Sequence, residues 1–159
     1  MNKIRLISCI FLIICASFFS FRFRYYQVGS EIRCTSIIQY QFIYENIVDT
    51  SSGSLLFMLS GDKGVITYNA KVNSGGKQFI INREADVEYL LKNDFLHIRT
   101  TKLIIRDGDN LPSDIAFKYL YGFLIRKDGW VSLKIDREFS SGYVISTSII
   151  PQFYCNKLQ

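Results

Sequence analysis

Histidine is almost absent from this sequence. There is one, His97, in 159 residues. Acyl-transfer triads and histidine-built metal sites need an imidazole beside other defined groups, and nothing near His97 in sequence supplies them. It reads as a strand residue with a satisfied ring, or as a candidate pH-sensing group, because imidazole titrates near neutrality. The motifs G-x-S-x-G and C-x-x-C are missing. Gly75-Gly76-Lys77 lacks the upstream glycine of a phosphate loop, and around Asp107, Asp109 and Asp114 a leucine, Leu111, stands where a calcium loop needs a ligand. These absences argue against an enzyme and give no reason to expect a cofactor or metal. Proline is scarce, at 2 residues, while 48% of the chain is hydrophobic and 15% aromatic. Such a composition excludes disorder and allows an ordinary core in one domain.

Acidic residues are missing before Glu31. That region holds the one long apolar run, Leu6 to Phe23, flanked by Lys3, Arg5, Arg22 and Arg24. As a helix it would span roughly 27 Å, just under a hydrocarbon core. Tyr25 and Tyr26 suit an aromatic belt, and the flanking basic residues place the short N-terminus in the cytoplasm. The competing expectation is a cleaved signal peptide with Cys15-Ala16-Ser17 as its small-residue site, but Phe18 and Phe19 continue the apolar run. The net charge is +5, from 19 Lys+Arg against 14 Asp+Glu. Without the four flanking cations the balance is 15 against 14. A near-neutral remainder has no electrostatic footprint for nucleic acid, so direct nucleic-acid binding is not expected. The expected division is therefore a cytoplasmic N-terminus (1–5), a transmembrane anchor (6–24) and a periplasmic β-rich domain (25–159) at a bacterial inner membrane.

Of the 4 cysteines, Cys9 and Cys15 lie in the apolar run, while Cys34 opens the second region and Cys155 nearly closes it. An exported domain would oxidise these two to a disulfide; two unpaired buried thiols are the alternative.

Alternation with period 2 dominates the second region. Ile38, Tyr40, Phe42 and Tyr44 share a face. Asp49 to Ser54 reads as a turn-rich loop before a strand at Leu55 to Leu59. Turns at Gly61-Asp62-Lys63-Gly64, Asn73 to Lys77 and Asn93-Asp94 separate strands around Ile66–Val72, Phe79–Leu91 and Phe95–Arg106. The pattern then changes. Ser113 is a plausible N-cap, and Ala116, Leu120, Phe123 and Leu124 follow at helical spacing, predicting a helix of about three turns from Asp114 to Ile125. A hairpin of Trp130–Glu138 and Tyr143–Ile150 follows, with Pro151 ending the last strand. The expected fold class is α+β, mostly β: an N-terminal transmembrane helix, then a bent antiparallel sheet or partly open β-barrel of seven or so strands with one helix across it. Its edge strand would need covering, and a partner chain completing the sheet is one solution.

Tyr40, Phe42, Tyr44, Tyr68, Phe79, Tyr89 and Phe95 fall on expected inward faces. They fill a core, or they line an apolar cavity for a small ligand.

Several short motifs occur in a recognisable order. Gly61-Asp62-Lys63-Gly64-Val65-Ile66 forms a hairpin, Asn110-Leu111-Pro112-Ser113-Asp114 leads into the expected helix, and Tyr143-Val144-Ile145 precedes Pro151-Gln152-Phe153-Tyr154-Cys155. With the basic N-terminus and the single anchor, this layout resembles the FidL-like small membrane proteins of the PsaF/MyfF type, which are linked to adhesive fimbriae. The resemblance implies a ToxS-like accessory protein: a partner that binds and stabilises the periplasmic domain of a ToxR-like, membrane-bound winged-helix transcription regulator, supporting envelope-signal-dependent transcription of fimbrial or virulence genes. Some relatives form a shared barrel with the regulator that senses bile salts or other cues. The alternatives are a stand-alone periplasmic barrel binding an apolar ligand, which predicts a closed barrel that folds alone, and a fimbrial subunit, which would need a cleaved signal peptide and usually a shorter disulfide loop.

Overall fold

The structure, a computed structural model, describes residues 31–44, 47–138, 141–147 and 150–158, together with Cys15 and Ser17. The chain divides into two units, residues 1–30 and residues 31–159. The second is an eight-stranded antiparallel barrel, each strand paired to the next and the last to the first. The strands are β1 (Ile32–Tyr44), β2 (Ile47–Ser60), β3 (Lys63–Ser74), β4 (Lys77–Lys92), β5 (Phe95–Ile105), β6 (Trp130–Glu138), β7 (Gly142–Thr147) and β8 (Ile150–Lys157).

The barrel follows from the alternation. Alternate residues of the long strands turn inward, and Ile38, Phe57, Ile66, Ile81, Ala85, Leu96, Ile98, Leu133 and Ile145 are buried. Tight turns link the long hairpins. Asn93 and Asp94 both have positive φ (51° and 64°), as a two-residue primed turn demands, and Gly75 and Gly76 (56° and 77°) do the same at the other end. Gly53 lies opposite Ala70 across β2 and β3. A Cβ at Gly53 would meet the Asn69 carbonyl oxygen at 2.2 Å and the Ala70 Cβ at 2.4 Å, so only glycine lets the strands approach this closely. A bulge at Asp86/Val87 shifts the β4–β5 register, and the Thr101 hydroxyl donates to the Asp86 carbonyl there at 3.0 Å.

Four expectations are corrected. The sheet is a closed barrel of eight strands, not a bent sheet or partly open barrel. Asp49–Ser54 is strand, because β2 pairs with β1 and β3 along its length and small Ser and Gly side chains suit its curvature. The single strand expected at Tyr143–Ile150 and ended by Pro151 is two: β7 stops at Thr147, and β8 runs through Pro151 to Lys157. Pro151 lies opposite Ser146 at the register shift of the β7–β8 ladder, an irregularity where a missing N–H is tolerated. The three-turn helix shrinks to one turn, α1 (Ala116–Tyr119), and a 3-10 turn at Gly122–Leu124. Ser113 caps nothing; the N-cap is Ile115, with no side-chain cap hydrogen bond. Aromatic residues and Gly122 are poor helix formers, and Leu120 and Tyr121 turn extended so that Phe123 and Leu124 plug the barrel. Among the described residues no helix is long and apolar enough to cross a membrane. Residues 1–5 and 6–24, Cys15 and Ser17 apart, lie outside the described residues.

The seam between β1 and β8 positions the site. Among the described residues its ladder has two pairs, Cys34↔Lys157 and Thr35↔Asn156. The Leu158 amide extends it to the Arg33 carbonyl (3.0 Å), and the Ser36 hydroxyl donates to the Tyr154 carbonyl (2.7 Å). The expected disulfide sits here: Cys34 and Cys155 are bonded, with Cα atoms 5.4 Å apart. Beyond Ser36 no further β1–β8 pair occurs among the described residues.

Candidate functional site

A cavity of about 210 Å³ opens where β1 and β8 part. Tyr40 and Phe42 of β1 form one wall, the run Lys118 to Tyr121 forms the second, and Gln152 of β8 completes it. Tyr40 and Phe42 face it because they share the inward parity of buried Ile38. Residues 118–121 reach it because the connection from β5 to β6 folds back over this end of the barrel.

That connection is tied down at buried points. Asp49, at the start of β2, is 1% exposed. Its carboxylate accepts from the Lys118 ammonium, from the Tyr119 hydroxyl at 2.7 Å and from the Gly75 amide at 3.3 Å. The Lys118 and Tyr119 hydrogen bonds hold its pKa down at about 2 against the opposing effect of burial, with Ser74 adding to them. Lys118 is held protonated by the same carboxylate. Arg83 grips Asp109 and donates to the Leu124 carbonyl at 3.0 Å, and the Thr100 hydroxyl donates to the Phe123 carbonyl at 2.6 Å.

Phenols and one amide make the polar part of the cavity. The Tyr40 and Tyr121 hydroxyls are 3.3 Å apart, and each donates to the Gln152 Oε1 at 3.4 Å. Burial pushes both phenols up, so both stay protonated donors at any ordinary pH. Phe42 meets the Tyr119 ring edge-on, with centroids 5.3 Å apart. Beneath the cavity the barrel is filled: the space bounded by Ile38, Leu55, Tyr68 and Leu124 amounts to about 10 Å³, too little for a ligand.

The expected aromatic set is thus split. Tyr40 and Phe42 line the cavity. Tyr68 packs in the floor, its hydroxyl 3.5 Å from that of Ser51. Phe79 packs against the core, and Tyr89 is buried elsewhere. Phe95 points outward and stacks on His97, centroids 6.4 Å apart. The Tyr44 side chain lies outside the described residues. His97 is exposed, with Nδ1 2.6 Å from the Ser132 hydroxyl. Asp107, Asp109 and Asp114 do not act together, since Asp109 is committed to Arg83.

Lys118, Tyr119, Leu120, Tyr121, Gln152, Asp49 and Arg83 were missed from the sequence. Arg83 had a signal: it interrupts the inward series Phe79, Ile81, Ala85, Val87, and a lone inward arginine requires a buried acid. The aromatic run Tyr119-Leu120-Tyr121 was a weaker one.

Compared with protein-family models, with curated proteins and with solved structures, the chain matches none.

Proposed function

We propose that this protein is a small-ligand-binding barrel that takes an apolar molecule in the cavity beside the β1–β8 seam. The observation that carries this reading is the cavity itself: an aromatic hollow with a few converging polar groups above a filled floor is the usual construction of a small-molecule site. A closed barrel with its own core also suits a domain that folds alone. The test is calorimetric binding of small apolar compounds to the protein and to Gln152→Trp, which fills the cavity. Binding lost in the variant, with its thermal transition kept, supports the reading. Binding that ignores the substitution sinks it.

The second reading is a ToxS-like accessory protein that binds and stabilises the periplasmic domain of a ToxR-like regulator. The observation favouring it is the short seam. From Ile37 to Tyr44 the outer edge of β1 has no ladder partner among the described residues, and Ile37 is 85% exposed. An unpaired edge is a template for strand addition by another chain, and binding the folded state of a partner stabilises it by linkage. On this reading the apolar N-terminal segment holds the barrel to the periplasmic side of an inner membrane, and expression of fimbrial or virulence genes depends on it. Co-expression decides: an unchanged regulator level and unchanged target transcription without this protein would dismiss it.

A further inference from the structure

We infer that the cavity takes a neutral, single-ring molecule carrying one hydrogen-bonding oxygen, a phenol or an aryl carbonyl, with its ring against Phe42 and Tyr119 and its oxygen among Tyr40, Tyr121 and Gln152. The inference deepens the ligand-binding reading and rests on it.

Size sets the first bound. An apolar cavity of about 150 Å³ accommodates benzene, so about 210 Å³ holds one ring with a substituent or two. A fused-ring amphiphile of steroid size would extend out of it into solvent. Shape sets the second. Phe42 and Tyr119 meet edge to face, and the quadrupoles of such walls favour a further planar ring over a branched aliphatic chain.

The polar groups set the third. The three contacts among Tyr40, Tyr121 and Gln152 measure 3.3, 3.4 and 3.4 Å. Hydroxyl hydrogen bonds at their best are about 2.7–2.8 Å. These three polar groups converge on one spot without saturating one another. A ligand oxygen there would accept from two phenols at better distance, and a ligand hydroxyl would in turn donate to Gln152 Oε1.

Charge sets the fourth. Among the described residues the one cation in the lining, Lys118, is bound to Asp49. An anionic ligand gains no uncompensated charge, and drawing Lys118 to itself would strip a counter-ion from a buried carboxylate. A neutral ligand disturbs nothing.

The experiment is isothermal titration of the full chain with p-cresol, toluene and benzoate, in the wild type and in the Tyr40→Phe/Tyr121→Phe double variant. Both substitutions keep the rings, so the cavity walls persist; thermal melting checks the fold. The expected result is p-cresol binding at least tenfold tighter than toluene in the wild type. In the double variant p-cresol falls to the level of toluene, while toluene itself is unchanged. Equal affinity for p-cresol and toluene, or benzoate as the tightest of the three, overturns the ligand class while leaving a ligand site in place. Binding of none of them, in a protein with an intact thermal transition, overturns the ligand-binding reading as well.

Discussion

Arg83 holds Asp109 by both carboxylate oxygens, Nε at 2.9 Å from Oδ2 and a terminal nitrogen at 3.3 Å from Oδ1, with the two side chains only 4% and 2% exposed. Asp109 also accepts from the amides of Asn82 (3.0 Å) and Leu111 (3.3 Å). The pair fastens the β5–β6 connection to β4, and that connection carries one wall of the cavity. Removing one member leaves a buried charge alone, which costs about 3–5 kcal/mol. Asp109→Ala is therefore expected to lose that much stability in urea titration. Arg83→Met with Asp109→Leu, which removes both charges, is expected to lose clearly less.

The disulfide closes the barrel where its ladder is shortest. Cys34 and Cys155 are 121 residues apart in sequence, so the bond removes a very long loop from the unfolded ensemble, worth about 4–5 kcal/mol in the chain-entropy model. Denaturation with and without reductant should differ by nearly that amount. A difference under about 1 kcal/mol would mean that the seam holds without the bond.

Asp49 should make the cavity wall acid-sensitive. Its pKa is about 2 in the folded protein, against 3.8 for the free group. A carboxylate with a depressed folded pKa stabilises the fold above its unfolded pKa, and that contribution is lost as pH falls from about 4 to about 2. The melting temperature of the wild type should drop across that window more steeply than that of Asp49→Asn. Parallel profiles would show that Lys118 and Tyr119 do not depend on the charge.

Tyr89 is 7% exposed, and its hydroxyl finds no hydrogen-bond partner among the described residues. A buried donor without a partner carries a desolvation cost. Tyr89→Phe should be neutral or stabilising, by up to about 1 kcal/mol, in the same urea assay. A loss of more than about 1 kcal/mol would reveal a bond to that hydroxyl.

Much of the barrel was legible because alternation reports which face is buried, and Asn93-Asp94 and Gly75-Gly76 announce their turns. The disulfide followed from where Cys34 and Cys155 lie. Eight strands and closure were not legible, because Tyr143–Ile150 read as one strand ended by Pro151, which left β8 uncounted. Residues 49–54, small and polar, read as a loop although they pair on both sides. The helix failed for a different reason. Helical spacing at Ala116, Leu120 and Phe123 also suits a folded connection that buries Phe123 and Leu124, and the bonds from Lys118 and Tyr119 to Asp49 outweigh local propensity. The candidate site was half legible. Tyr40 and Phe42 follow from strand parity, whereas Gln152 and residues 118–121 meet them only through tertiary folding.

The most direct test of the central claim, a ligand site at the parted seam, is an amide NMR titration of the isotopically labelled protein with p-cresol. Saturable shifts that share one affinity are expected at Phe42, Tyr119, Leu120, Tyr121 and Gln152, while outward-facing Leu90, His97 and Trp130 stay still. Shifts confined to those outer positions, or no saturable shift at all, would contradict it.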